Sequence, residues 1–333
     1  MIKMLLVCIS AVVVLIVVAL SLWVASLWQS SLTIEELDQY VKKYVTLSDG
    51  SHVHYLDSGE VSSAEVGNGE AKKPALLLLH GGMDNLYTWE LWRQRLEQDY
   101  RVIAVDLPGH GLSDPVPGGH YDRWLFAEFI DHFTAAINLQ QFVIAGNSYG
   151  GETAIRYVLD FPGKAQGLVL VDSGGLLMNA DDLVNNAPAF EKMVLALSKI
   201  PGLGFVLDHV LLALLSEQSD YNYNSAYFTE AYGQRFNDIS RYIKNRSTIR
   251  ELAMQGAKTY NEISRLENIE IPTLILWGQR DAALPVELAH RFNQAIPASE
   301  LIIYPDSGHM PQMEVPDKSA ADVAGFIQKL GNP

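Results

Sequence analysis

The pentapeptide Gly146-Asn147-Ser148-Tyr149-Gly150, with Gly151 directly after it, constrains this chain more than any other stretch. Ahead of it, Gln141-Phe142-Val143-Ile144-Ala145 is a short apolar run that reads as a buried strand. Behind it, Ala154, Ile155, Tyr157, Val158 and Leu159 are spaced for one face of a helix. Strand, Gly-x-Ser-x-Gly, helix is the context of a nucleophile elbow. Such a turn is sharp enough to strain the serine backbone, and flanking side chains would collide with the strand and helix they join. The outcome is one hydroxyl at the carboxyl edge of a sheet, beside a helix N-terminus that favours negative charge.

The rest of the chain supplies the sheet. Val45 to Leu47 and His52 to Leu56 read as two strands joined by an Asp49-Gly50 turn. Leu76 to Leu79, Arg101 to Val105 and Gly167 to Val171 read as further strands, and so do Ile271 to Trp277 and Leu301 to Tyr304. Helices are expected over Leu86 to Gln98, Tyr121 to Asn138, Val286 to Ala295 and Asp317 to Leu330. Thr33 and Glu36 have capping-box spacing, so a short helix is expected there, and Ser58 to Lys73 reads as an exposed loop. This alternation implies an α/β fold: an eight-stranded, mostly parallel sheet with helices on both faces. The rhythm stops between residues 174 and 267. The core is therefore expected at 31–173 and 268–333, with 174–267 inserted between strands 6 and 7 as a helical cap over the sheet's carboxyl edge, where open α/β sheets bind ligands. Phe205, Leu207, Leu211 and Leu215 make part of that cap strongly apolar.

Residues 1–30 are a separate unit. Met4 to Trp28 is apolar except for Ser10, Ser21 and Ser26, and about 20 helical residues span a bilayer core. The run exceeds the apolar region of about 7–15 residues usual in a cleaved signal, so a single N-terminal transmembrane anchor is expected. Lys3 before the run and Glu35, Glu36 and Asp38 after it orient the catalytic part outward, to a periplasmic, extracellular or lumenal location. The alternative is secretion after cleavage between Ala19 and Ser26. The single cysteine, Cys8, excludes an intrachain disulfide and a cysteine metal site. A formal net charge of −15 argues against nucleic acid as a partner. No metal or organic cofactor is implied.

A serine hydroxyl needs a base to become nucleophilic. His309, in Asp306-Ser307-Gly308-His309-Met310, follows a strand and is the candidate base. Asp281, after Trp277-Gly278-Gln279-Arg280, is the candidate acid that orients it, with Asp172 at the end of the preceding strand as the rival. The tetrahedral intermediate needs backbone donors; Tyr149 and Gly82 are expected to supply them, with Met83 as the alternative to Gly82. His80 is expected to hold its own loop, and Asp106-Leu107-Pro108-Gly109-His110-Gly111 reads as a turn-forming loop.

His80-Gly81-Gly82, Asp106 to Gly111, the Ser148 elbow, Asp281 and Gly308-His309 together resemble the α/β-hydrolase fold superfamily, over about Val45 to Leu330. Asn147-Ser148, Gly150-Gly151 and the N-terminal segment resemble its serine esterase/lipase branch, in particular membrane-anchored monoacylglycerol-lipase-like hydrolases. The branches with haloalkane dehalogenases and epoxide hydrolases carry aspartate at the elbow, unlike Ser148. The resemblance implies carboxylic ester hydrolysis, with lipid-derived substrates such as monoacylglycerols in view. Tyr149 departs from the methionine frequent in those relatives, which implies an altered acyl pocket. Two alternatives remain: a carbon–carbon bond hydrolase of ring-cleavage products, and a non-catalytic binding module on the same fold.

Overall fold

The computed structural model describes residues 31–59, 73–117, 121, 123–176, 228–245, 248 and 263–331. Among them, β1 (Lys43–Thr46), β2 (His52–Asp57), β3 (Ala75–Leu79), β4 (Arg101–Val105), β5 (Phe142–Asn147), β6 (Ala165–Val171), β7 (Thr273–Gly278) and β8 (Ser299–Tyr304) form one sheet. Its order is β1-β2-β4-β3-β5-β6-β7-β8. β2 runs antiparallel to β1 and β4, and the pairs from β4 across to β8 are all parallel. The expected mostly parallel eight-stranded sheet is what forms.

The helices are α1 (Glu90–Leu96), entered through a 3-10 turn at Leu86–Trp89, α2 (Arg123–Ala136), α3 (Tyr149–Asp160), α4 (Glu230–Ser240), α5 (Ile263–Leu266), α6 (Glu287–Ala295), α7 (Pro311–Glu314) and α8 (Pro316–Gly331). Strand residues alternate between the two faces. Leu77 and Leu79 of β3 join a core layer with Phe126 and Phe133 of α2, Tyr157 of α3 and Phe292 of α6. Leu76 and Leu78 point the other way, toward Trp92 of α1 and Val323 and Phe326 of α8. Every residue of β3, β5 and β7 is buried, which is why these strands read as unbroken apolar runs. Burying one such large side chain is worth about 1.5–3 kcal/mol. The two layers clamp the sheet so that its carboxyl edge is a fixed platform.

The Thr33–Glu36 pairing closes on one side only: Glu36 Oε2 accepts the Thr33 N–H at 2.8 Å. It opens a turn and the short helix expected there, which is a 3-10 helix at Asp38–Tyr40. This segment is tied to α4 and the residues after it. Leu32 N donates to Arg241 O at 2.9 Å, and Tyr40 Oη donates to Asp238 Oδ2 at 2.7 Å. Among the described residues no helix is long and apolar enough to cross a membrane. The anchor expected at 1–30 lies outside them, as does most of the stretch 174–267 with its apolar run at 205–215, and most of the loop expected at 58–73.

Candidate active site

β5 ends at Asn147 and α3 begins at Tyr149, so Ser148 alone makes the turn between them. Its backbone sits at φ 52° and ψ −116°, a region L-residues rarely adopt and one that stores strain. The main chain over-determines this geometry. Ser148 N donates to Val171 O at 3.1 Å and Asp172 O at 3.2 Å, while its carbonyl accepts from Gly151, Glu152 and Gly174. The glycines are steric requirements. A Cβ at Gly146 would stand 2.2 Å from the Gly150 carbonyl oxygen, and one at Gly150 would stand 2.3 Å from that of Leu79. The half-buried Ser148 side chain is thereby set at the sheet's carboxyl edge.

His309 lies between β8 and α7. Its Nδ1 faces Asp281 Oδ2 at 2.7 Å, and the Asp281 side chain is fully covered while that of His309 keeps 14% exposure. Asp281 Oδ1 accepts from Ala283 N at 2.7 Å and Leu284 N at 2.9 Å. The carboxylate is thus aimed by its own turn, and a carboxylate on one ring nitrogen leaves Nε2 to act as a base. Asn147, the residue before the serine, closes the arrangement. Its Nδ2 donates to the His309 carbonyl at 3.0 Å and to that of Val171 at 3.1 Å. The histidine loop is therefore pinned directly to the elbow.

The loop after β3 comes to the same place. A Cβ on Gly81 would meet Asn147 Oδ1 at 3.1 Å and Ser148 Cβ at 3.4 Å, and one on Gly82 would lie 3.7 Å from Tyr149 Cβ. Gly82 and Tyr149, the two expected donors, are thus neighbours across the elbow. Tyr149 opens α3, where main-chain N–H groups have no intrahelical acceptor. Met83 is 37% exposed and has φ 62°. The Tyr149 ring meets Phe126 edge-on, 5.1 Å between centroids. His80 holds its loop as expected: Nδ1 donates to Gly81 O at 2.7 Å, and Nε2 accepts the Leu107 N–H at 3.0 Å. Tyr232 of α4 reaches over this loop, its Oη 3.4 Å from Asp84 Oδ1.

Three side chains here escaped the sequence reading. Glu314 of α7 accepts from Gly308 N at 2.8 Å and Met310 N at 3.0 Å, so it fixes both sides of His309. The proline that opens α7 was the available signal for a helix there. Asn147 was another, a polar residue ending an apolar strand. The third is His54, whose Nδ1 donates to Asp106 Oδ2 at 2.6 Å while its Nε2 accepts the Lys42 N–H at 2.9 Å. Asp106 also accepts from Leu86 N and Leu112 N. Burial alone would push the Asp106 carboxyl up, but the His54 ring and these donors hold it below the usual carboxylate range. Asp106 organises its turn, as expected, through a buried pair that was not foreseen. Burial, with His80 adding to it, depresses the His110 imidazole to about 3 and keeps that ring neutral.

Asp172, the rival acid, does not take the place of Asp281 on Nδ1. It lies fully buried behind Asp281, and ligand-type atoms of Asp172, Asp281 and His309 fall within 4.8 Å of one another. The oxygens of Asp281 are already engaged by N–H donors, so the group is not an open set of metal ligands.

Comparison with known proteins agrees with this fold. An uncharacterised protein of Mycobacterium tuberculosis is 29% identical over 266 residues, 76% of this chain and 75% of that protein. A 2-hydroxy-6-oxononadienedioate/2-hydroxy-6-oxononatrienedioate hydrolase of Pseudomonas putida is 26% identical over 89% of this chain and 100% of its own. Among solved structures, that of a putative lipase from Acinetobacter baumannii AYE superposes with a TM-score of 0.68 at 26% identity, covering 87% of this chain and 91% of that one. The model of the alpha/beta hydrolase fold family matches residues 74–316, and the chain belongs to that family.

Proposed function

We propose that this chain is a serine hydrolase that cleaves carboxylic esters through an acyl-enzyme on Ser148. The observation that carries the reading is the 2.7 Å pair of His309 and Asp281, pinned through Asn147 to a strained serine elbow. Ser148 Oγ attacks the ester carbonyl carbon while His309 Nε2 takes its proton. Asp281 holds the ring by accepting the Nδ1 hydrogen and steadies the imidazolium. The Gly82 and Tyr149 N–H groups receive the oxyanion; one such donor is worth about 2.7–4 kcal/mol in related enzymes. His309 then protonates the leaving alkoxide. Water repeats the sequence in reverse and frees the acid. No step calls for a metal or organic cofactor.

The substrate class proposed is lipid-derived, such as a monoacylglycerol. The apolar sequence around 205–215 and the apolar segment 1–30 support this, as does the likeness to a putative lipase. Residues 1–30 are proposed as a transmembrane anchor that leaves the hydrolase on the exported side, with 174–267 as its cap; a secreted, cleaved form is the alternative. Intact mass of the purified protein distinguishes the two. An acyl-length series of p-nitrophenyl esters tests the substrate class: preference for octanoyl over acetyl supports it, and far better turnover of acetyl esters rejects it.

One observation favours a second reading. The Pseudomonas putida relative named for a dienedioate substrate aligns over its whole length, and the same serine, histidine and aspartate could serve carbon–carbon bond hydrolysis. A spectrophotometric dienoate assay beside the ester panel separates them. Turnover of the dienoate with no ester activity would establish the second reading in place of the first.

A further inference from the structure

Asp172 terminates β6, one strand from the elbow, and its position is unusual for an acidic residue. It is fully buried. Its backbone is left-handed, at φ 42°, a conformation that aspartate and asparagine tolerate better than most residues. Main-chain bonds hold it there: Asp172 N donates to Leu276 O at 3.0 Å, and its carbonyl accepts from Ser148 N. One carboxyl oxygen, Oδ1, accepts the Gly278 N–H at 2.9 Å. The other, Oδ2, is buried and meets no donor among the described residues. The Asp281 carboxylate is close by: an oxygen of each residue lies within 4.8 Å of the other.

Two carboxylates this close in a dry site do not both ionise. The count of donors decides which one keeps the proton, because each N–H stabilises the charged form. Asp281 receives three, from His309, Ala283 and Leu284. Asp172 receives one, from Gly278. We propose that Asp172 is a positioning residue of this site, a neutral carboxylic acid whose O–H donates to Asp281 and steadies the carboxylate that orients His309. The pair then carries one negative charge, and the buried Oδ2 gains the partner it lacks as an ionised group.

The electrostatics agree. Burial, then the charge of Asp281 and the hydrogen bond to it, push the Asp172 carboxyl well above the usual range, against the pull of the Gly278 N–H. The titratable groups around it are Asp281 from the loop after β7, His309 beyond β8, Glu314 of α7 and Tyr304 of β8. Glu314 adds negative charge and reinforces the shift.

The inference rests on His309 acting as the base, and its test is separable from the choice of substrate. Asp172→Asn keeps an acceptor for Gly278 and presents an N–H₂ donor to Asp281. Because it replaces one neutral donor by another, the acid limb of the kcat/KM profile should coincide with that of the wild type. Displacement of the limb to lower pH would mean that an ionised Asp172 had been removed, and would overturn the proposal. Asp172→Ala should lower kcat on the order of 10–100-fold with little change in KM, the scale typical of outer-shell partners of a site. Unchanged kcat with altered KM would contradict the role.

Thermal stability gives a reading that needs no substrate. In the wild type the folded state keeps a proton that the unfolded chain loses above about pH 3.9. Stability therefore falls as pH rises from there toward the folded-state value. Asp172→Asn lacks this loss, so its Tm should gain on the wild type between about pH 4 and pH 7. A gap that moves the other way identifies an ionised Asp172. If the variant does not fold, infrared spectra of wild-type protein with isotope-labelled aspartate decide. A protonated aspartic carboxyl band at neutral pH supports the proposal, and its absence refutes it. Failure of every ester with the Tm pattern intact would count against the ester reading alone.

Discussion

Two of the histidine–aspartate pairs among the described residues have nearly the same geometry. His54 Nδ1 meets Asp106 Oδ2 at 2.6 Å, and His309 Nδ1 meets Asp281 Oδ2 at 2.7 Å. In each, a carboxylate at or just beyond the end of a strand also collects main-chain N–H groups. The difference is in the surroundings of the two rings. His54 is sealed, with no exposure, and its Nε2 is occupied by the Lys42 N–H. His309 keeps 14% exposure and is tied to the residue preceding Ser148. The contact itself therefore does not distinguish a sealed structural pair from the pair proposed to be catalytic. Exposure of the ring and its tie to the serine elbow set the His309 pair apart.

The comparison can be broken most sharply by removing the nucleophile. Ser148→Ala should reduce kcat on p-nitrophenyl esters by about 10⁶-fold, the scale of related triads, and leave the Tm near that of the wild type. Asp281→Asn should cost less, roughly 3 × 10⁴-fold in kcat. Retention of most activity by either would place the chemistry elsewhere.

The sealed pair should respond in the opposite way. Asp106→Ala removes one partner of a buried pair and leaves two N–H groups and a ring without their acceptor, at a cost of about 3–5 kcal/mol in stability measured by urea unfolding. Below its own melting range the variant should keep kcat within about ten-fold, a difference of 1.4 kcal/mol in barrier. A loss comparable to that of Asp281→Asn, without unfolding, would erase the distinction.

The smallest effect is in the pH dependence. Asp106 is held below the usual carboxylate range in the folded state, so its contribution is fully present above the unfolded value of about 3.9 and is lost as pH falls through the folded one. The Tm gap between the wild type and Asp106→Asn should therefore be wide at pH 7 and close in acid. Asp172→Asn should show the reverse sign. Parallel pH profiles for the two variants would remove the contrast between these buried acids.

The elbow, the sheet and the rim residues were legible because local chemistry dictates them. Apolar runs that are buried on both faces announce β3, β5 and β7, and the glycines around Ser148 have no substitute at a turn this tight. Asp281 and Asp172 both follow strands of the same type, and sequence alone left them as rivals. The structure shows that the two carboxyl groups are close neighbours, a relation set by tertiary packing. His54 and Asp106 are 52 positions apart, and no periodicity carries such a pairing. Glu314 acts only because α7 turns the chain back on the histidine loop. The capping-box spacing at Thr33 does precede a short helix, but one of 3-10 type in a segment that docks on α4.

The most direct test of the account is covalent. Folded full-length protein is treated with a fluorophosphonate, digested, and the adduct mapped by mass spectrometry, with His309→Ala in parallel. The account predicts one adduct, on the peptide that carries Ser148, and labelling slowed by orders of magnitude in the variant. An adduct on another serine, or labelling of Ser148 at the same rate without His309, would contradict it.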